Sequence, residues 1–207
     1  MTTKKIPDII IGRLPIYLRA LDRMASSGET VTSSKELGEW VGISAAQIRK
    51  DISQFGEFGK QGTGYHIGYL IDQLTQILHL IKEWGVAVVG AGYLGHALAS
   101  YHGFQHRGFK IVCVFDKDPD KIGLDMGNLV VQDIEEMEET IGQLNVAIAI
   151  LAVPVDVAQE MTDRLVDAGI RAILSYVPIH LDVPNGVQIS YSDPVMRLQR
   201  MTYYLPL

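Results

Sequence analysis

Apolar residues recur along this chain with two different periods. Over residues 10–25 they fall three and four apart, at Leu14, Tyr17, Leu18, Leu21 and Met24, which places them on one face of a helix that Gly28 ends. From residue 86 onward the pattern changes to short unbroken apolar runs, at 86–89, 111–115, 129–131, 146–153 and 172–175, separated by helix-length segments. An acidic helix is expected over 134–144, and Pro154 opens another through Met161 and Leu165 that Gly169 ends. Strands spaced by helices predict a parallel sheet with right-handed crossovers, so this half reads as α/β.

Polar residues punctuate the N-terminal part in a specific way. Ser33 followed by Glu36 predicts a capping box opening a short helix through Leu37, Trp40 and Val41, which Gly42 stops. Ser44 followed by Gln47 predicts a second capping box, opening a helix over 45–55. Two short capped helices around a glycine turn are the pattern of a helix-turn-helix. On the second helix Ala45, Ile48, Ile52 and Phe55 share one side, and Ala46, Gln47, Lys50, Ser53 and Gln54 face away from it. That outer face suits a major groove: small residues allow close approach, and Gln47 and Lys50 reach base edges. Arg49 flanks the face toward a phosphate, and Asp51, on the other flank, is expected to orient Arg49, Lys50 or a backbone group. Four closely spaced glycines follow, Gly56, Gly59, Gly62 and Gly64, with Lys60 and Gln61 at the tip of an expected hairpin that lies along the minor groove as a wing.

The sharpest chemical signal is Gly90-Ala91-Gly92-Tyr93-Leu94-Gly95, entered from an apolar strand and followed by a second strand ending on Asp116. In a dinucleotide fold the first glycine permits a sharp turn, the second lets the backbone approach a pyrophosphate, and the third lets the helix pack on the sheet. The helix start offers unpaired N–H groups to the phosphates. Asp116 stands where a carboxylate accepts from the ribose hydroxyls and repels a 2′-phosphate, which favours NAD(H) over NADP(H), and Lys117 and Lys121 temper that choice. Val153-Pro154 and Val177-Pro178 are expected at strand ends, giving the nicotinamide an apolar wall. Burying the positive charge of the oxidised ring there is costly, so the site should prefer NADH.

Composition adds bounds. With 207 residues the chain accommodates two small domains at roughly 100–200 residues each. Residues 1–70 carry nine Lys/Arg against seven Asp/Glu and residues 71–207 carry nine against seventeen, so the net charge of −6 conceals a slightly basic N-terminal part. The single cysteine, Cys113, excludes an internal disulfide and reads as a small buried hydrophobe. No apolar run approaches a membrane span and no signal-peptide core follows the N-terminus, so a soluble cytoplasmic protein is expected. No metal-ligand cluster or nucleophile–base pair is apparent, and His96, His102, His106 and His180 lack a carboxylate at a telling spacing, so no catalytic residue and no metal are assigned. After Asp193-Pro194, a steric signal for an N-cap and first helical residue, Val195, Met196, Leu198, Met201, Tyr204 and Leu205 make a helix too apolar to lie free.

Together these residues resemble the Rex family of redox-sensing transcriptional repressors. The similarity runs through residues 14–19, Thr32-Ser33-Ser34, Leu37-Gly38, residues 47–51, Phe55-Gly56, residues 62–65, the glycine loop, Gly103-Phe104, Phe115-Asp116, residues 168–174 and the Asp193 helix. The resemblance implies a winged helix-turn-helix DNA-binding domain over 1–80, an NAD(H)-binding Rossmann domain over 81–190, and a C-terminal helix over 191–207 exchanged within a homodimer. It implies an inverted-repeat operator in double-stranded DNA, released when NADH binds between the domains. It further implies that Tyr101 lies near the nicotinamide and that Arg19 and Asp193 pair as a conformational switch. The family pattern leads to an arginine at the wing tip, where this chain has Lys60-Gln61. Two alternatives remain at this level, a small NAD-dependent dehydrogenase whose N-terminal helices serve dimerisation, and a CoA-binding Rossmann domain.

Overall fold

The structure is a computed structural model that describes residues 6–60 and 63–206. The chain divides into two compact units, Met1–Lys82 and Glu83–Leu207. In the first, α1 (Asp8–Ile11) leads into α2 (Leu14–Ser26), with Pro15 in its first turn, where the missing N–H costs no helix hydrogen bond. Leu14, Tyr17, Leu21 and Met24 form its buried face, as their spacing predicts. Strand β1 (Val31–Thr32) is followed by α3 (Ser34–Val41), whose capping box is complete: the Ser33 hydroxyl accepts from Glu36 N–H, and the Glu36 carboxylate accepts from Ser33 N–H. Gly42 ends α3 in the left-handed region, and α4 (Ala45–Ile52) follows. Strands β2 (Gly59–Lys60) and β3 (Gly64–His66) form the hairpin, with β3 also pairing antiparallel to β1 in the order β1-β3-β2. Helix α5 (Ile67–Ile77) then packs against α2 through Ile67, Leu70 and Leu74, closing a core with Leu37, Ile48 and Ile52.

The second unit holds, among the described residues, a seven-stranded sheet. Its elements are β4 (Trp84–Val89), α6 (Tyr93–Ala99), β5 (Phe109–Asp116), β6 (Asp125–Met126), β7 (Leu129–Asp133), α7 (Met137–Leu144), β8 (Ile148–Leu151), α8 (Ala158–Asp167), β9 (Ala172–Ser175), β10 (Gln188–Tyr191) and α9 (Pro194–Thr202). The order β10-β9-β8-β4-β5-β7-β6 is parallel except for the short antiparallel edge β6, and β7-β5-β4-β8-β9-β10 is the 3-2-1-4-5-6 arrangement of doubly wound dinucleotide folds. Apolar layers cover both faces: Val89, Phe115, Met137, Leu151 and Leu165 on one, and Val86, Val88, Val114 and Ile150 on the other. Cys113 is fully buried in this sheet, and burial pushes its thiol up to about 12, which leaves it an inert hydrophobe at neutral pH. Val177 is buried in the core beyond β9, so it is packing and not part of an exposed strand-end wall, contrary to the expectation from its sequence setting. No helix among the described residues is long and apolar enough to cross a membrane.

Candidate functional site

The sheet order reverses between β4 and β8, and a cleft of about 910 Å³ opens there, outside the carboxyl ends of the strands. Gly90 carries φ +101°, and a Cβ there would run into the Ala152 carbonyl. A Cβ on Gly95 would run into the Gly90 carbonyl, so this glycine permits α6 to lie against the loop. Gly92 differs from both: a Cβ would meet nothing within 4 Å, and the residue lines the cleft. Its bareness is therefore not required by the fold and is what close approach of a ligand backbone requires.

Asp116, 8% exposed at the end of β5, is the electrostatic centre of this region. Its Oδ2 accepts from Ala91 N–H at 2.7 Å and from Lys121 Nζ at 3.2 Å, and its Oδ1 accepts from Asp118 N–H at 2.9 Å. Burial alone would raise this carboxyl; the two backbone N–H groups and Lys121 outweigh it and hold it below the usual carboxylate range. An ionised carboxylate has about four acceptor positions, so one remains on Oδ1 for a hydroxyl donor. Lys121 also reaches Asp118 at 3.3 Å.

The cleft brings together Gly90, Gly92, Tyr93, Leu94, Asp116, Lys117, Lys121, Val153 and Pro154 from the residues singled out in the sequence. Ala91 and Gly95 lie behind it, Ala91 supplying its N–H to Asp116. Tyr101 lies elsewhere: α6 carries the chain about 10 Å from the glycine loop at 1.5 Å per residue, and the Tyr101 ring packs edge-on to Phe104 beside a separate hollow lined by His102, Phe109 and Asn128. The sequence reading missed Ile134, Val157, Met161 and Arg164, which line the cleft together with Asp118, Pro119, Glu135 and Glu160. Ile134 directly follows β7 and Val157 directly precedes α8, and the rule that ligands sit at strand carboxyl ends points to these two. Arg164 also ties two acids of the expected acidic segment to the cleft, holding Glu138 at 2.6 Å and Glu135 at 3.4 Å. A dinucleotide fits this set: a bare glycine for the pyrophosphate, a carboxylate with one free acceptor position for a ribose hydroxyl, and apolar walls for flat rings.

In the first unit, α4 presents Ala46, Arg49, Lys50 and Ser53 to solvent, with Gln47 half-buried beside them. The Ser44 hydroxyl accepts from Gln47 N–H at 3.3 Å, but the reciprocal half of the expected capping box is absent. The Gln47 side chain instead donates to Asp51 Oδ1 at 2.7 Å. Asp51 is fully buried and takes two further bonds from Arg13 and one from the Tyr17 hydroxyl, so its expected role toward Arg49 or Lys50 is not the observed one. Burial works against its charge, but the bonds from Arg13, Tyr17 and Gln47 prevail and hold it below the ordinary value. Arg49 donates to Ser34 Oγ at 2.9 Å, tying α4 to the start of α3, and the Ser53 hydroxyl donates to the Lys50 carbonyl at 3.0 Å. The Lys60 backbone lies in β2, paired with Gly64, and Gln61 lies outside the described residues. Arg19 is exposed on α2, and Asp193 caps α9 by accepting from Val195 and Met196 N–H. Along α9, Val195, Met196, Leu198 and Met201 are all exposed, together with Tyr203, Tyr204 and Leu205 beyond it.

Two families match separate parts of the chain: the CoA binding domain over residues 81–179 and the putative DNA-binding protein N-terminus over 5–53. Among relatives, the redox-sensing transcriptional repressor Rex of Roseiflexus sp. (strain RS-1) is 52% identical over 199 residues, covering 96% of this chain and 90% of its own. The protein of the same name from Brevibacillus brevis is 40% identical over 202 residues, covering 98% of each. Among solved structures, RSP in complex with β-NAD+ and operator DNA superposes with a TM-score of 0.92 at 39% identity, covering 97% of this chain and 93% of that one. RSP in complex with β-NADH gives 0.88 at 37% identity, covering 97% and 94%.

Proposed function

Because this chain belongs to the Rex family of redox-sensing transcriptional repressors, we propose that it binds an inverted-repeat operator as a homodimer and releases it when NADH occupies the cleft beside Asp116. It is a regulator and not an enzyme. The observation that carries the reading is the pairing, within one chain, of an exposed cationic helix in a helix-turn-helix with a switch-point cleft whose carboxylate already holds its own glycine loop.

Each part of the cleft has a task. The backbone at Gly92 takes the pyrophosphate, Asp116 Oδ1 takes a ribose hydroxyl and repels a 2′-phosphate, and Ile134, Val153, Pro154, Val157 and Met161 offer apolar surface. When bound, the dinucleotide supplies a nicotinamide that is cationic when oxidised and neutral when reduced. That apolar stretch of the lining penalises the cation, which supports a response to NADH over NAD+. The relative that holds β-NAD+ and operator DNA together supports the oxidised form as compatible with the DNA-bound state.

On the DNA side, Ala46 permits close approach, Lys50 and Gln47 reach base edges, and Arg49, held by Ser34, stands at the flank for a phosphate. Ser53 and the wing residues Lys60 and Gln61 complete the assignment. The exposed apolar face of α9 is the surface we assign to the second subunit, with the helix exchanged between subunits, Asp193 at its start pairing with Arg19 in one state and Tyr101 nearing the nicotinamide only in the assembled dimer. A repressor acts on the chromosome, which supports a cytoplasmic location.

A gel-shift titration on an inverted-repeat operator tests this directly. NADH at micromolar levels is expected to release the DNA while equal NAD+ or CoA does not; equal potency of NADH and NAD+ overturns the redox-sensing reading, and release by CoA alone makes the cleft a CoA site.

A further inference from the structure

We propose that buried Asp51 sets base specificity in α4 by holding the Gln47 amide in the one orientation that reads adenine. This inference rests on the operator-binding reading above and deepens it.

Asp51 accepts four hydrogen bonds on its two oxygens: Arg13 Nε at 2.6 Å and Tyr17 OH at 2.6 Å on Oδ2, and Arg13 Nη2 at 2.8 Å and Gln47 Nε2 at 2.7 Å on Oδ1. An ionised carboxylate only accepts, so the Gln47 amide must turn its nitrogen, and not its oxygen, toward Asp51. Tyr17 on α2 and Arg13 at its N-cap lie 34 and 38 residues away and fix the carboxylate from outside α4. Gln47 is the third residue of α4, in the first turn that a recognition helix presents to base edges.

With Asp51 taking the N–H that points away from the carbonyl, the amide is left with its other N–H and the carbonyl oxygen on a common edge. That donor–acceptor pair matches adenine, whose N7 accepts and whose N6 donates in the major groove. An unrestrained glutamine has a second option, turning both of its N–H groups toward the two acceptors of guanine, N7 and O6. With one N–H held by Asp51 that option is closed. The half-made capping box is part of the same arrangement: the Gln47 side chain is not folded back onto Ser44, so it is available to Asp51 and to DNA.

The test begins with selection from inverted repeats randomised in each half-site, using the wild-type full chain, and continues with competition between all single-base replacements. Wild type is expected to show one position per half-site where adenine is preferred over guanine by roughly tenfold or more. Gln47→Ala should flatten that position alone. In Asp51→Asn the new carbonyl oxygen can keep Arg13 Nε, while the new amide nitrogen faces both Arg13 Nη2 and Gln47 Nε2, so Gln47 loses its acceptor and the adenine-over-guanine ratio should collapse or invert at that position while the others keep their order. A merely structural role for Asp51 would instead weaken every sequence uniformly, and that result overturns the proposal. Should Asp51→Asn fail to fold, exchange of the Gln47 side-chain amide protons in wild type decides: one slowed proton is expected, and two exchanging at solvent rates overturn it. Absence of any enrichment by wild type removes the operator-binding reading and this proposal together; enrichment without an adenine position dependent on residues 47 and 51 removes this proposal alone.

Discussion

Ala91 donates its backbone N–H to Asp116 Oδ2 at 2.7 Å, so the carboxylate that ends β5 holds the glycine loop that follows β4. The acid expected to choose the cofactor therefore also shapes the loop that receives it. Replacing Asp116 with Ala removes a ribose acceptor and leaves the Ala91 N–H without its partner. Each such loss is worth about 1–3 kcal/mol, so calorimetry should show NADH binding weakened roughly tenfold or more. Unchanged affinity would take Asp116 out of the site.

The three glycines of the loop should separate in experiment. Gly92→Ala meets nothing within 4 Å, so it should melt at the wild-type temperature yet bind NADH much more weakly, because its methyl occupies the phosphate approach. Gly95→Ala drives a methyl into the Gly90 carbonyl and should lower the melting temperature by several degrees in a thermal scan. Equal NADH binding by Gly92→Ala and wild type would refute the phosphate role.

Much of this was legible in the chain because its causes are local. The Ser33–Glu36 capping box, the Gly42 stop, the Asp193-Pro194 helix start and the strand–glycine–helix unit each depend on residues within one or two turns. Helix α5 shows the expected spacing at Ile67, Leu70 and Leu74, a legible signal that the sequence reading passed over after the glycine-rich hairpin. What local pattern does not carry is pairing at distance. Ser44 and Gln47 have the spacing of a capping box, yet Arg13, 38 residues upstream of Asp51, brings a buried carboxylate under Gln47 and takes its side chain. Tyr101 was placed by resemblance, and the length of α6 sets it beside Phe104, away from the cleft of its own unit.

The depressed carboxyls of Asp51 and Asp116 make stability acid-sensitive. A carboxyl whose folded value lies below its unfolded value, about 3.9 for Asp, contributes fully above that value and loses the contribution as pH falls through the folded one. The urea midpoint should therefore be flat from pH 7 to about 5 and fall below about 4. Asp51→Asn should be less stable at neutral pH and lose part of that acid slope; an identical slope in both proteins would show that Asp51 titrates alike folded and unfolded.

Lys50 is exposed on α4 and belongs to no part of the cleft. Lys50→Ala should weaken operator binding by about 1–3 kcal/mol if it reads a base, or lower the salt dependence by about one unit if it meets a phosphate. NADH affinity should stay as in wild type. A fall in NADH affinity or in melting temperature would show Lys50 to be structural.

The central claim is a coupling between two sites, and a coupling is reciprocal. Calorimetric NADH affinity, measured on the free protein and again with saturating operator DNA, tests it most directly. The account predicts weaker NADH binding in the presence of operator, by the same factor by which NADH weakens operator binding; NADH affinity identical with and without operator would contradict it.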